Sequence, residues 1–131
     1  MTIPRALVGV SVITILALSG AVQAHPRLLS VTPKAGAAVA SPHVIQLKFS
    51  ERLIGAMTGA DVVTPAMAPM PGMAGRPVVK MTGFVAAVGP DGKTLTLTRK
   101  ANLPAGAYQV VWHAVAADTH RVAGRFAFSV K

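Results

Sequence analysis

Every second residue is apolar in Ile45-Gln46-Leu47-Lys48-Phe49. A period of two marks a strand with one face in the core and the other in solvent. The same alternation returns three times. Leu95 and Leu97 alternate with Thr94, Thr96 and Thr98 directly after the turn sequence Gly89-Pro90-Asp91-Gly92. Tyr108, Val110 and Trp112 share one face of a run that follows Leu103-Pro104-Ala105-Gly106, and Phe126, Phe128 and Val130 close the chain in the same way. No segment beyond residue 24 carries a helical period, so the expected fold is all-β, a sandwich of about seven strands. The Pro-Ala-Gly-x-Tyr run resembles a tyrosine corner, in which the phenol hydroxyl bonds back to nearby backbone. Tyr108 and Trp112 are therefore expected in the core.

The first 24 residues read as a signal peptide. Arg5 precedes an apolar run from Ala6 to Leu18, and Val22-Gln23-Ala24 supplies the small-x-small pattern of a cleavage site after Ala24. The run is shorter than the roughly 20 apolar residues that a membrane span requires. Processing would leave His25 to Lys131 as one exported, soluble domain of 107 residues (131 minus 24), enough for one modest core. There is no cysteine. Packing alone must stabilise the domain, and thiolate metal sites are excluded, His₂Cys copper centres among them.

The formal charge of +9 falls by one when Arg5 is removed. Lys and Arg are scattered singly and aromatics are scarce, so the basicity reads as a solvated surface facing an acidic or membrane-bound partner. A nucleic-acid partner is not expected.

Cleavage would expose an α-amine on His25 next to its imidazole, and the two together can chelate one metal ion. Pro26 has no backbone N–H, so the following amide cannot become a third ligand. Asp118-Thr119-His120 can supply what is missing: in an extended segment residues i and i+2 project to one face, bringing carboxylate and imidazole together. One amine, two imidazoles and a carboxylate form an N₃O set suited to tetragonal Cu(II). A second group is Met67, Met70 and Met73, spaced by three in a segment with four prolines between Thr64 and Pro77. That segment is expected to be a loop. Polyproline II has three residues per turn, which would align the three thioethers on one edge as soft donors for Cu(I); packing against the sandwich is the alternative. Met57 and Met81 flank the loop as further ligands or as core. His43 and His113 are left outside the primary site, with His113 the better candidate for a peripheral role.

These residues resemble the CopC family of bacterial periplasmic copper-resistance proteins. The resemblance is carried by His25-Pro26-x-Leu28, Ile45-x-Leu47-x-Phe49-Ser50-Glu51 and the Met-rich loop. Pro104-x-Gly106-x-Tyr108-x-Val110-x-Trp112 adds to it, as does Asp118-x-His120 followed by Gly124-x-Phe126-x-Phe128-x-Val130. It implies a cupredoxin- or immunoglobulin-like Greek-key β-sandwich or barrel that binds and carries copper in the periplasm without catalysis. It also implies Cu(II) at His25, Asp118 and His120, Cu(I) at Met67, Met70 and Met73, and an inner-membrane partner similar to CopD. In one respect the chain departs from the two-site members. Ala74-Gly75-Arg76-Pro77-Val78 stands where they carry a histidine and a further methionine. An oxidative copper enzyme built on an N-terminal histidine is the competing function, and a metal-independent structural sandwich the third.

Overall fold

The computed structural model describes residues 25–131; the expected signal segment, residues 1–24, lies outside the described residues. Nine strands follow in chain order: β1 (Leu28–Thr32), β2 (Ala38–Val39), β3 (Val44–Phe49), β4 (Gly59–Thr64), β5 (Val79–Lys80), β6 (Val85–Val88), β7 (Thr94–Thr98), β8 (Gly106–Val115) and β9 (Arg121–Val130). Seven have four residues or more, the number expected from alternation, and β2 and β5 are two-residue additions too short to leave a period. One 3₁₀ turn, Gly55–Met57, is the only helical element among the described residues.

The strands form two sheets, ordered β1-β3-β7-β6 and β2-β9-β8-β4-β5. Strands β3 and β4, β5 and β6, and β7 and β8 are consecutive in the chain yet lie in different sheets. This crossing between layers is that of the expected Greek-key sandwich. All pairings are antiparallel except β2 with β9.

Alternation sets the core. Ile45, Leu47 and Phe49 of β3, Leu95 and Leu97 of β7, and Val62 of β4 are at most 1% exposed, each burial contributing about 1.5–3 kcal/mol. Val62 belongs to the facing sheet, which also supplies Tyr108, Val110 and Trp112 of β8 with Phe126, Phe128 and Val130 of β9. The Tyr108 hydroxyl donates to the Pro104 carbonyl at 2.6 Å, which is the expected corner. Burial raises the Tyr108 pKa, with the Arg99 charge acting against it. Trp112 meets Phe49 edge to face at 5.2 Å between centroids. Its cross-strand neighbour is Gly124, where a Cβ would stand 2.6 Å from the indole. Only a glycine lets the indole lie over β9.

Two features set the geometry at the ends of the sandwich. Strand β8 is ten residues long, roughly 33 Å from end to end, and so defines two well-separated poles. The segment before β1 is also tied down: Pro26 is buried, and Arg27 exchanges two hydrogen bonds with Ser50, its N–H to Oγ and its carbonyl from the Ser50 N–H, both 2.9 Å.

Candidate metal centre

The Arg27–Ser50 tether delivers His25 to one pole of the sandwich, where β8 turns into β9. Asp118 and His120 lie in that turn, between Val115 and Arg121, which pair across the base of the hairpin. The ligating atoms of His25, Asp118 and His120 all lie within 4.8 Å of one another, the single such group of three or more among the described residues.

The local conformation differs from the extended one expected. Thr119 N–H donates to the Ala116 carbonyl at 2.9 Å, and Thr119 sits at φ +66°. Left-handed backbone is uncommon for a β-branched residue. The turn folds Asp118 back on His120: the His120 N–H reaches Oδ1 and the His120 Nδ1 reaches Oδ2, both at 3.1 Å. Carboxylate and imidazole therefore converge through a tight turn rather than through the alternation of a strand. An Asp that accepts from the backbone two residues on is the usual partner of such a turn.

His25 completes the group from the other side. Its Nδ1 stands 3.1 Å from the same Oδ2, and its ring meets that of His120 edge to face at 4.5 Å and 84°. Partial burial works to raise the Asp118 pKa. Hydrogen bonds from the His120 ring and backbone, together with the His120 and His25 charges, outweigh it and hold the carboxyl below the usual range. Asp118 is thus an anion at neutral pH, holding two imidazoles that remain about half to two-thirds exposed. Nδ1 is also the ring nitrogen that can close a six-membered chelate with the α-amine of its own residue. In the unprocessed chain the main-chain nitrogen of His25 is still an amide, so that second donor depends on cleavage.

The methionines lie at the other pole. Met67 and Arg76 exchange backbone hydrogen bonds at 2.9 Å, as do Met70 and Met73 at 3.1 and 2.8 Å. Pro71-Gly72 occupies the tip, with Gly72 at φ +80°, the position that a type II turn reserves for glycine. The segment is accordingly a narrow two-stranded ribbon, not a polyproline helix. The thioethers still converge, because Met67, Met70 and Met73 line one pocket of about 90 Å³ with Ala68, Ala74 and Arg76. All three are at least half exposed, so they are not fillers of the sandwich core. A groove running from Met67 and Arg76 to Gly106 and Tyr108 places the ribbon beside the start of β8. The histidine group lies beyond the end of the same strand.

The remaining candidates separate clearly. Met81 packs against the core. Met57 precedes β4, and neither it nor Met81 lines the thioether pocket. His113 lies opposite Gly59 on the outer face of the larger sheet, and His43 donates Nδ1–H to the Arg99 carbonyl at 2.9 Å. Ser50 and Thr119 are not expected from sequence to serve the site, yet they position the candidate ligands His25, Asp118 and His120; neither carries a signal that a single sequence displays.

Comparison with known proteins identifies the family. The CopC domain model matches residues 28–131. Copper resistance protein C of Pseudomonas syringae pv. tomato is 41% identical over 114 residues, 87% of this chain and 86% of that protein. Copper resistance protein C of Escherichia coli is 38% identical over 117 residues, covering 89% and 90%. Among solved structures, PcoC, a methionine-rich copper resistance protein from Escherichia coli, superposes with a TM-score of 0.68 at 39% identity. That match covers 82% of this chain and all of the other. With a domain match across every strand and relatives near 40% identity over most of their length, this chain belongs to the CopC family.

Proposed function

We propose that the protein is an exported copper carrier whose Cu(II) site is completed by removal of residues 1–24. The α-amine and Nδ1 of His25, a ring nitrogen of His120 and the carboxylate of Asp118 form the N₃O donor set. Such a set suits tetragonal Cu(II) better than other first-row ions. The supporting observation is the convergence of these three side chains within 4.8 Å, in a chain whose relatives are named copper resistance proteins. Copper is here the cargo, and the protein acts as carrier in the periplasm rather than as catalyst. A CopD-like inner-membrane protein is the proposed partner.

Cu(I) is assigned to the ribbon at the opposite pole. Three exposed thioethers around one pocket offer soft donors in a chain without a thiol, and soft ligands select Cu(I). With the two groups separated by the length of β8, each oxidation state has its own end of the molecule.

Copper titration of protein beginning at His25, once in air and once anaerobically with reductant, tests both assignments. One Cu(II) and one Cu(I) per chain are expected, with neither ion displacing the other. Competition between the two oxidation states for a single site would rule out the two-pole arrangement.

A further inference from the structure

The four acidic side chains of the protein leave most of its cations without a partner. Asp61 is paired with Lys80 at 2.8 Å. Asp91 is occupied by the Thr94 hydroxyl and the N–H groups of Lys93 and Thr94, and Asp118 faces the two histidines. Glu51, Arg27, Arg52, Lys93 and Arg121 have no ion-pair partner among the described residues. All five belong to the histidine pole. Arg27 and Glu51 flank the tether, Arg121 follows His120, and Arg52 and Lys93 line a concavity of about 470 Å³ with Glu51, Ala116 and Ala117. Arg52 is held across the turn before β7, its guanidinium against Gly92, and the Leu53 N–H bonds the Gly92 carbonyl at 2.7 Å. The hollow therefore opens one residue away from Asp118, with two cations and one carboxylate in its wall.

A site for a divalent cation gains nothing from four neighbouring positive charges, which oppose the metal. Their arrangement favours an anion approaching the metal instead, and a loaded site attracts it more strongly. We propose that this basic hollow is the docking surface for an acidic segment of the protein that gives or receives copper. Carboxylates of that segment sit against Arg52 and Lys93, beside the coordination sphere at Asp118. The assignment rests on the Cu(II) reading of His25, Asp118 and His120 and adds the chemistry of the partner to it. Opposite charge at the point of transfer raises encounter rates by 10-fold or more, an effect of roughly 10–10³ in steered associations, and screening by salt removes it.

The test uses residues 25–131, which contain every strand and the whole described core. Two synthetic peptides carry the same pair of histidines as copper acceptors, one within a run of Asp and Glu, the other with Asn and Gln in their place. Amide chemical shifts follow docking to the metal-free protein, and visible absorbance follows transfer of Cu(II). The acidic peptide is expected to shift the amides of Arg52, Lys93, Ala116 and Ala117. It should also accept copper about tenfold faster than its neutral twin at ~0.01 M salt, with the difference gone near ~1 M, where the Debye length falls from about 30 to 3 Å. Joint Arg52→Glu and Lys93→Glu substitution should remove the preference, while Cu(II) affinity measured against a chelator stays equal or rises. Equal behaviour of the two peptides, or a preference that survives the double substitution, overturns the docking surface. So does citrate at matched carboxylate concentration if it speeds transfer as much as the peptide. Docking at these amides in a protein that takes up no Cu(II) would overturn the copper reading and leave the acidic docking surface standing.

Discussion

The Nδ1 of His25 stands 3.1 Å from the Oδ2 of Asp118, joining the first described residue to the turn between the last two strands. The same oxygen holds the Nδ1 of His120 at 3.1 Å. One carboxylate therefore gathers both imidazoles before any metal arrives, and a bound ion would replace two hydrogen bonds with coordination.

The chelate at His25 depends on a free α-amine. Protein left with one glycine ahead of His25 should retain the fold and lose at least about tenfold in Cu(II) affinity, which is about 1.4 kcal/mol. Competition titration against a chelator of known strength measures it. Equal affinity for the two forms would remove the amine from the donor set.

Thr119 sets the angle between Asp118 and His120. Proline fixes φ near −65° and cannot take the +66° found here, so Thr119→Pro should separate the two ligands and weaken Cu(II) binding severely. Thr119→Asn should bind like the parent, because asparagine tolerates the left-handed region. Thr119→Pro also deletes the hydrogen bond from the Thr119 N–H to the Ala116 carbonyl and should lower the melting temperature, whereas Thr119→Asn should unfold close to the parent value. Tight binding by the proline variant would show that the turn has no part in the site.

Joint replacement of Met67, Met70 and Met73 by leucine removes the soft donors from an exposed ribbon. Cu(I) binding should be lost, Cu(II) binding spared, and stability changed by less than about 0.5 kcal/mol, as for most surface substitutions. Retained Cu(I) affinity in an anaerobic titration would exclude these thioethers as ligands.

Tyr108→Phe deletes the 2.6 Å hydrogen bond to Pro104 and leaves a part-buried carbonyl short of its donor. A loss of about 1 kcal/mol is expected from the urea midpoint. Copper binding at the far end of β8 should be untouched.

Asp91 gives the fold an acid dependence separate from the metal centre. Its pKa is lowered chiefly by the Thr94 hydroxyl and then by the Lys93 N–H, against an opposing effect of burial, with the Thr94 N–H and the Lys48 charge adding further. A carboxyl with a depressed folded-state pKa contributes stability that is present above its unfolded value, about 3.9, and lost as pH falls through the folded one. Metal-free Asp91→Asn should accordingly show a shallower loss of urea stability below about pH 4 than the parent. Identical acid profiles would mean that the turn contributes nothing to this dependence.

How much of the molecule is legible in the chain depends on the information that a period of two contains. Alternation says which face of a strand is apolar, and so Ile45, Leu47, Phe49, Tyr108, Val110 and Trp112 could be assigned to the core from sequence, with the Tyr108 corner and the donor chemistry of His25, Asp118, His120 and the three methionines. It does not say which strand lies alongside. The meeting of His25 with Asp118 comes from long-range pairing and from the hydrogen bonds between Arg27 and Ser50. Thr119 was invisible because its left-handed φ goes against the preference of a β-branched side chain and is imposed by the hairpin that contains it. The methionine spacing suggested a polyproline edge, but paired backbone groups across the Pro71-Gly72 turn satisfy more hydrogen bonds than an isolated extended segment can. Sequence by itself therefore determined the fold class and the core, and it named the candidate donor side chains. The tertiary structure decided the convergence of the histidine group and its separation from the methionine ribbon along β8, because distance between residues remote in the chain is set only when the sheets close.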